Sequence, residues 1–591
     1  MNTPSPIDNI NSLPAALFRT AEKYASDPAQ WYRTDDAYQP VSYAQLSQRI
    51  KHFASGLIRA GIKPGDRVAL LMDNCPEWAV IDYAILAIGA VTVPLYCSYR
   101  PMDMSHVLND SGAITVITSG DKLLQSLLVA LERCPDIAHV YAIENTFYND
   151  HVQPMAELES GEIEEAELAR RLAAIDRDTL ATLAYTSGTT AQPKGVMLTH
   201  GNIITNLESV PAAIALKTGS DGDRLLSFLP LAHMLERTGS HFLTYSFGLS
   251  VAFAERPDTV AKNMAEARPN IMIVVPRMLE VIRARILAQI KQQPSIKQKL
   301  FHGYLAQYQK HKDTGSKTLL WHLLDKLVGQ KIRQRFGGQL RVFICGGAPL
   351  NPDDIEFFEA LGLPILEGYG LTESAPLLAV NPMSDRRVGT VGVAAKGVEL
   401  CIADNGEILA RGANIMPGYW RNAEITDETL IDGWLHTGDL GSICPDGYLN
   451  ITGRKKDVIV NSGGENISPQ RVESLLTSDD AIEQVAIYGD EQAYLVALVI
   501  PNEEVCMAWA KTQNLALSNW LQYCESDALK KHLQSKINTL LEPLNRFEQV
   551  RRIHLLPEPF SIEAGTLTPT MKVKRRSVFQ HYAKTIISLY G

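Results

Sequence analysis

Between residues 185 and 195 the chain reads Tyr185-Thr186-Ser187-Gly188-Thr189-Thr190-Ala191-Gln192-Pro193-Lys194-Gly195. Hydroxyl side chains, glycines that expose backbone N–H groups and one ammonium are the groups that hold phosphate oxygens. The apolar run Leu180 to Ala184 in front of them predicts a strand that feeds this loop. The segment does not fit the Walker pattern, because Lys194 is preceded by Pro193 and followed by Gly195, which argues against a P-loop kinase or GTPase.

Six later segments carry glycine, hydroxyl or charge. Gly346-Gly347-Ala348-Pro349-Leu350 follows the strand-like run Leu340 to Cys345, and Glu367-Gly368-Tyr369-Gly370-Leu371-Thr372-Glu373-Ser374 offers a ring and carboxylates. Gly433-Trp434-Leu435-His436-Thr437-Gly438-Asp439 precedes the basic Gly453-Arg454-Lys455-Lys456-Asp457. Asn461-Ser462-Gly463-Gly464-Glu465 comes next, and Lys572-Val573-Lys574-Arg575-Arg576 lies near the C-terminus. In this order the segments resemble the adenylate-forming (AMP-binding) superfamily of acyl-CoA synthetases, luciferases and nonribosomal adenylation domains. The resemblance runs from about residue 13 to the end of the chain.

It implies a role for each residue. Thr186, Ser187, Gly188, Thr189, Thr190 and Lys194 would hold the ATP phosphates. Gly346, Gly347 and Ala348 would flank adenine, where glycine lets the backbone approach a flat base. Glu367, Gly368, Tyr369, Gly370 and Thr372 would continue the nucleotide site, with Tyr369 stacked on adenine and Thr372 at the α-phosphate. Glu373, with Thr186, would hold Mg²⁺, a hard cation suited to carboxylate and phosphate oxygen.

Asp439 would accept from both ribose hydroxyls, and Arg454 would lie near ribose or phosphate. Lys456 is the expected hinge, and Ser462, Gly463 and Gly464 are expected to make room for the pantetheine arm of coenzyme A. The two arginines at 575 and 576 place Lys572 at the catalytic position, with Lys574 as the competing candidate. Plainer readings stand beside these: Thr-Gly-Asp is a common turn, Ser-Gly-Gly a surface turn, and the Lys/Arg run a solvated tail. Ala191 stands where relatives carry glycine, which alanine replaces poorly if the position has a positive φ.

The segment Leu229-Pro230-Leu231-Ala232-His233-Met234-Leu235-Glu236-Arg237 is similar to the long-chain fatty acyl-CoA synthetase branch, in which His233 would be catalytic where acyl, nucleotide and thiol channels meet. Read alone, His233 is a structural histidine and Glu236 with Arg237 a local pair on a helix turn. Val274-Val275-Pro276-Arg277-Met278-Leu279 resembles the acyl-tunnel segment, with no tryptophan gate. The branch implies activation of a long-chain fatty acid by ATP and Mg²⁺ to acyl-AMP, then transfer to coenzyme A. A fatty acyl-AMP ligase serving a carrier protein and a ligase for another carboxylic acid are the alternatives. Fatty acid, ATP and CoA would be the small-molecule partners, with a homodimer and peripheral membrane contact left open.

The elements that must position these residues follow from hydrophobic patterning. Strand-like runs alternate with helical periods: Val68 to Met72 before Trp78 to Gly89, Ala113 to Ile117 before Leu123 to Glu132, and Asn270 to Val275 before Met278 to Lys291. This predicts an α/β protein with parallel sheets flanked by helices. Hairpin signals at Asp404-Asn-Gly-Glu and Pro445-Asp-Gly-Tyr predict a small β-rich subdomain over about 389–453. The expected division is an N-terminal domain at 1–453, a hinge at 454–457 and a smaller mobile α+β domain at 458–591, with Lys291 to Lys331 as solvated helices and a loop near Thr314, a basic membrane-facing patch being the second reading of that stretch.

The 591 residues carry a net charge of −10, which disfavours nucleic acid as a partner. Eight cysteines without metal-ligand spacing read as reduced thiols. The apolar run Trp78 to Leu95 is interrupted by Asp82 and Gly89, so it reads as a buried helix and strand rather than a membrane span. The first residues lack the pattern of a secretory signal, so the expected location is cytoplasmic, or peripheral to a membrane.

Overall fold

A computed structural model describes residues 7, 9–34, 37–143, 152–186, 192–256, 259–314, 318–568 and 572–591. Ser187, Gly188, Thr189, Thr190 and Ala191 lie outside the described residues, as does the expected loop at 315–317.

Two large sheets pack on one shared core. The first has eight strands in the order Gly418–Tyr419, Lys194–Thr199, Leu180–Thr186, Val91–Pro94, Arg67–Leu71, Thr115–Ser119, His139–Ile143 and Val152–Pro154. The second has nine, in the order Val393–Ala394, Leu377–Val380, Ile365–Gly370, Val342–Cys345, Ile271–Val274, Arg224–Ser227, Ser250–Phe253, Pro28–Thr34 and Ala37–Ser42. The strands that alternate with helices pair in parallel, as expected. Three of the four margins are antiparallel, including Thr186 opposite Lys194 and the N-terminal hairpin Pro28–Ser42, whereas Val152–Pro154 closes the first sheet in parallel.

The two-residue period of a strand sorts its side chains between layers. Val68 and Leu70 face the shared core, together with Leu225, Val251, Ile271, Val342 and Leu366 of the other sheet. Their neighbours Ala69 and Leu71 face an outer core under the helices Pro101–Ser111 and Asp121–Leu131. Likewise Leu226, Met272, Phe343 and Ile365 face the helices Pro276–Lys291, Ser295–Thr314 and Pro352–Ala360.

Between the sheets lies the helix Pro76–Ala87, opened by a proline in its first turn and buried from Trp78 to Ala87. A helix apolar on every side has only a core to occupy. Its one buried charge, Asp82, is met by Arg237 Nε at 3.1 Å, by His241 Nε2 at 3.0 Å and by Thr92 Oγ1 at 2.8 Å, all buried. Burial alone would raise the Asp82 carboxyl; Arg237 and His241 overcome that and hold it at about 2. Arg237 therefore does not pair with Glu236. The chain runs through a π-helical turn at Arg237–Phe242, which aims the guanidinium inward at Asp82. Glu236 lies close to Ser227 and Ser240 with no hydrogen bond to its carboxyl, and burial raises its pKa to about 8.

The two hairpin signals both form turns of a five-stranded antiparallel sheet. Val398–Ile402 pairs with Glu407–Gly412, and Trp434–Ile443 with Leu449–Arg454. Residues after 458 build a small hairpin, Ile459–Val460 with Asn466–Ile467, and a three-stranded sheet of Ile482–Tyr488, Leu495–Pro501 and Val550–Leu555. One face of that sheet packs on Asp527–Leu540 and the other on Arg575–Ser588. All eight cysteines are free thiols. No helix among the described residues is long and apolar enough to cross a membrane.

Candidate active site

The carboxyl ends of parallel strands are where an open α/β sheet binds ligands. Thr186 ends Leu180–Thr186, Gly346 follows Val342–Cys345, and Glu367 to Gly370 close Ile365–Gly370. A Cβ at Gly346 would stand 3.2 Å from the Gly368 carbonyl oxygen, and Gly347 has φ +88°, so both positions select glycine. Ala348 is exposed beside them. Glu367 is buried, and that burial pushes its pKa up to about 8.

Two clusters of polar side chains form around this edge. In the first, Lys194 lies opposite Thr186 in the ladder, with its ammonium 5.5 Å from the centre of the Tyr419 ring. Tyr419 Oη donates to Glu373 Oε1 at 2.8 Å, and Met416 N donates to the Glu373 carbonyl at 2.9 Å. The stems of the 187–191 segment are fixed from outside. Tyr185 Oη donates to Asp110 at 2.6 Å, and His106 Nε2 donates to the Pro193 carbonyl at 2.9 Å. Glu373 and Thr186 offer only oxygen, the donor chemistry that fits Mg²⁺ shared with phosphate.

In the second cluster the register of the β-rich sheet sets Asp439 directly opposite Arg454. Arg454 Nε donates to Asp439 Oδ1 at 2.9 Å, and Tyr369 Oη donates to Oδ2 at 2.8 Å. Thr372 lies one turn beyond, in the short helix Thr372–Ser374. Lys572 enters from the C-terminal part, held by Lys572 N to Thr568 Oγ1 at 3.0 Å and by the bridge between Leu567 and Val573. Lys572 is solvent-exposed and lies close to Arg454. Desolvation and the neighbouring Arg454 draw its pKa down to about 8, against the pull of Asp439 and Asp457.

His233 lies within electrostatic reach of the same lysine. Its Nδ1 accepts from Leu235 N at 3.1 Å, which leaves Nε2 as the protonated nitrogen; burial and Lys572 lower its pKa to about 4, so the ring is neutral. Lys574 instead opens the final helix, its N–H donating to the Thr566 carbonyl at 2.8 Å.

The structure thus gathers Tyr369, Asp439, Arg454, Lys572 and His233, and separately Thr186, Lys194 and Glu373. It does not bring Ser462, Gly463 and Gly464 to either cluster. They are exposed at the tip of the small hairpin, where Ser462 N bonds the Gln492 carbonyl and Gly463 N bonds Asn461 Oδ1. Lys456 is exposed, whereas Lys455 is tied twice: its N–H donates to the Gly438 carbonyl at 2.8 Å and its ammonium to Glu407 at 3.2 Å.

Tyr419, Asp110 and His106 carry part of this geometry and were not singled out from the sequence. Tyr419 reaches Glu373 because Gly418–Tyr419 pairs with Lys194–Thr199, more than two hundred residues earlier. A Gly-aromatic pair leaves no local sign of that pairing.

The family model described as AMP-binding enzyme matches residues 17–420, and the model for the AMP-binding enzyme C-terminal domain matches residues 456–591; the chain belongs to this family. Among curated proteins it is 34% identical to the long-chain-fatty-acid-CoA ligase FadD15 of Mycobacterium bovis, over 94% of this chain and 93% of that protein. It is 31% identical to the peroxisomal long chain acyl-CoA synthetase 6 of Arabidopsis thaliana, over 94% and 82%. The crystal structure of the adenylation domain of a carboxylate reductase from Mycobacterium chelonae shares the fold with TM-score 0.78 at 21% identity, over 99% of this chain and 92% of that one.

Proposed function

We propose that this protein is a long-chain fatty acid-CoA ligase that forms acyl-AMP and pyrophosphate from the acid and ATP, then passes the acyl group to coenzyme A. The observation that carries the reading is the convergence of Lys572, Arg454, Asp439 and His233 at the strand ends. The 34% identity to a protein named as such a ligase supports the acid and the acceptor. It favours them over a carrier-protein acceptor or another carboxylic acid.

A carboxylate lacks a good leaving group, and attack on the α-phosphorus of ATP supplies one. Positioning and charge neutralisation are the protein's share of that step. Lys572 bridges the incoming carboxylate and the α-phosphate. Tyr369 and the turn at Gly346 to Ala348 hold adenine, and Asp439 holds the ribose through lone pairs that Arg454 and Tyr369 leave open. Lys194 and the 186–190 segment take the outer phosphates. Thr186 and Glu373 would hold Mg²⁺, whose charge offsets that of the phosphates when bound. Neutral His233 presents Nε2–H toward the reacting end of the acyl chain.

Thioester formation needs the hairpin tip at Ser462 to Gly464 where Lys572 now stands, so the part after Lys456 rotates. The contacts that hold it to the helix Pro276–Lys291 include Arg277 to Glu483 and Lys291 to Asp480, both at 3.7 Å between solvent-exposed side chains. Such pairs contribute about 0–1 kcal/mol each and yield readily.

The test is pyrophosphate release with MgATP and acids from acetate to oleate, with and without CoA, while acyl-AMP and acyl-CoA are followed. CoA-dependent turnover that peaks on long chains is expected. Acyl-AMP that accumulates in the presence of CoA would reassign the acceptor, and no pyrophosphate with any acid would defeat the reading.

A further inference from the structure

The strand Arg67–Leu71 of the first sheet runs out into Met72-Asp73-Asn74-Cys75 before the buried helix Pro76–Ala87 begins. Arg224–Ser227 of the second sheet runs out into the segment that leads to His233. The two exits meet at one side chain. Asn74 Nδ2 donates to the Ser227 hydroxyl at 3.0 Å and to the Leu229 carbonyl at 2.6 Å, and Asn74 Oδ1 accepts from Leu231 N at 3.1 Å. Both amide protons and the carbonyl oxygen of Asn74 are thereby committed to the other sheet's exit.

An asparagine just before a helix ordinarily caps it. Here the cap position is Cys75, which makes no capping hydrogen bond, and the Asn74 amide is turned to the other sheet instead. His233 follows the clamped residues directly. Its N–H donates to the Pro230 carbonyl at 2.9 Å, so the ring stands on the turn that Asn74 holds on both flanks. Leu235, whose N–H the ring accepts, lies 3.6 Å from where a Cβ would stand at Gly346, which keeps this turn at the strand ends. Beyond His233, Asp82 binds Arg237 and His241. His233 is thus held between a buried ionic tie behind it and a half-buried amide tie in front, both reaching it from the same stretch of chain.

We propose that Asn74 is a positioning residue for the ligase reaction, setting the place of the His233 ring and so governing turnover through that ring, with no part in ATP binding. This rests on the ligase reading and on the part of His233 in it. A group displaced by about 1 Å can cost about a hundredfold in rate, and a turn freed on both flanks has room for such a shift. Aspartate has nearly the shape of asparagine, but its carboxylate only accepts, so it would set negative oxygen against the Leu229 carbonyl.

The experiment measures N74D and N74A, alone and combined with H233A, in CoA-dependent turnover of a long-chain acid, with KM for ATP determined separately. Either Asn74 variant should lower kcat about ten- to hundredfold and leave KM for ATP within about twofold of the parent. N74A adds no charge, so the same pattern in both excludes a buried charge as the cause. In the H233A background the same substitutions should lower kcat by less than about twofold, because effects routed through one side chain do not add. Amide exchange over residues 228–235 should quicken about tenfold in N74D while residues 237–245 keep the parent's protection. Equal factors in both backgrounds, a raised KM for ATP in place of a lowered kcat, or unchanged exchange overturns the proposal. Exchange needs no turnover, so it separates the two readings: parent protein that releases no pyrophosphate with any acid defeats the ligase reading and the role in turnover with it, even where Asn74 holds the segment.

Discussion

The molecule contains two Asp–Arg pairs with opposite environments. Asp82 and Arg237 are completely buried, with His241, Thr92 and Thr182 supplying further hydrogen bonds. Asp439 is nearly buried, but its partner Arg454 keeps 41% of its side chain in water. In the first pair every side-chain nitrogen and oxygen has a protein partner, and the pair holds two layers together. The second is finished by protein on one side only, and its open side is where a ribose and a mobile lysine would come. A charge pair that fixes packing and one that awaits a ligand thus differ in how many partners the fold itself supplies.

Breaking the buried pair has the largest expected effect. Arg237→Ala leaves the buried Asp82 carboxylate with only His241 and Thr92 as partners and should cost about 3–5 kcal/mol in unfolding free energy. Chemical denaturation measures it, and a loss under about 1 kcal/mol would mean that the network adds little to packing. Next comes the open cluster. Lys572→Ala should lower pyrophosphate release by about two to three orders of magnitude, near the effect of losing one charge-stabilising donor, with a small change in thioester formation from preformed acyl-AMP.

Because Lys572 is charged below about 8, kcat/KM for ATP should be flat at neutral pH and fall up to about tenfold per unit above that value. A pH–rate profile that is level to pH 10 would remove the lysine from this role. Glu236 sharpens the contrast from the buried side. Its carboxyl is neutral in the folded state up to about 8 but ionises near its ordinary value when unfolded, so the unfolded chain binds fewer protons between the two. Stability should therefore fall with rising pH across that window, by at most about 1.4 kcal/mol per unit, and Glu236→Gln should flatten the slope seen in thermal melts. The smallest effect is Arg454→Ala, expected to change stability by less than about 1 kcal/mol while weakening use of ATP. A large stability loss would erase the distinction between the two pairs.

What the sequence made legible was local. Turn chemistry at Asp404-Asn-Gly-Glu and Pro445-Asp-Gly-Tyr placed two hairpins, and apolar runs next to helical periods placed the parallel strands. Asp439 and Arg454 were recognised separately, but their direct opposition came from strand register. What stayed hidden depends on partners far along the chain. Gln30 pairs with Val251 and brings the N-terminal hairpin to the second sheet. Asp82 lies 155 residues before the arginine it binds, and the pairing of Glu236 with Arg237 failed because a π turn redirects the side chains there. Tyr419 belongs to the same group. The resemblance to a family named the residues expected to meet the nucleotide, and the structure supplied those that hold them in place.

Lys455 has a consequence for how the two half-reactions share an intermediate. Its backbone is bonded to Gly438, next to Asp439, and its side chain to Glu407, so the chain is pinned up to the residue before the proposed pivot. A swing that starts at Lys456 breaks the turn hydrogen bonds from Asp457 and Val458 to the Arg454 carbonyl but leaves the Asp439 strand undisturbed. The adenylate would stay clasped by its sugar while one set of reagents is exchanged for another. A mixed anhydride that water destroys is then never set adrift between its making and its use.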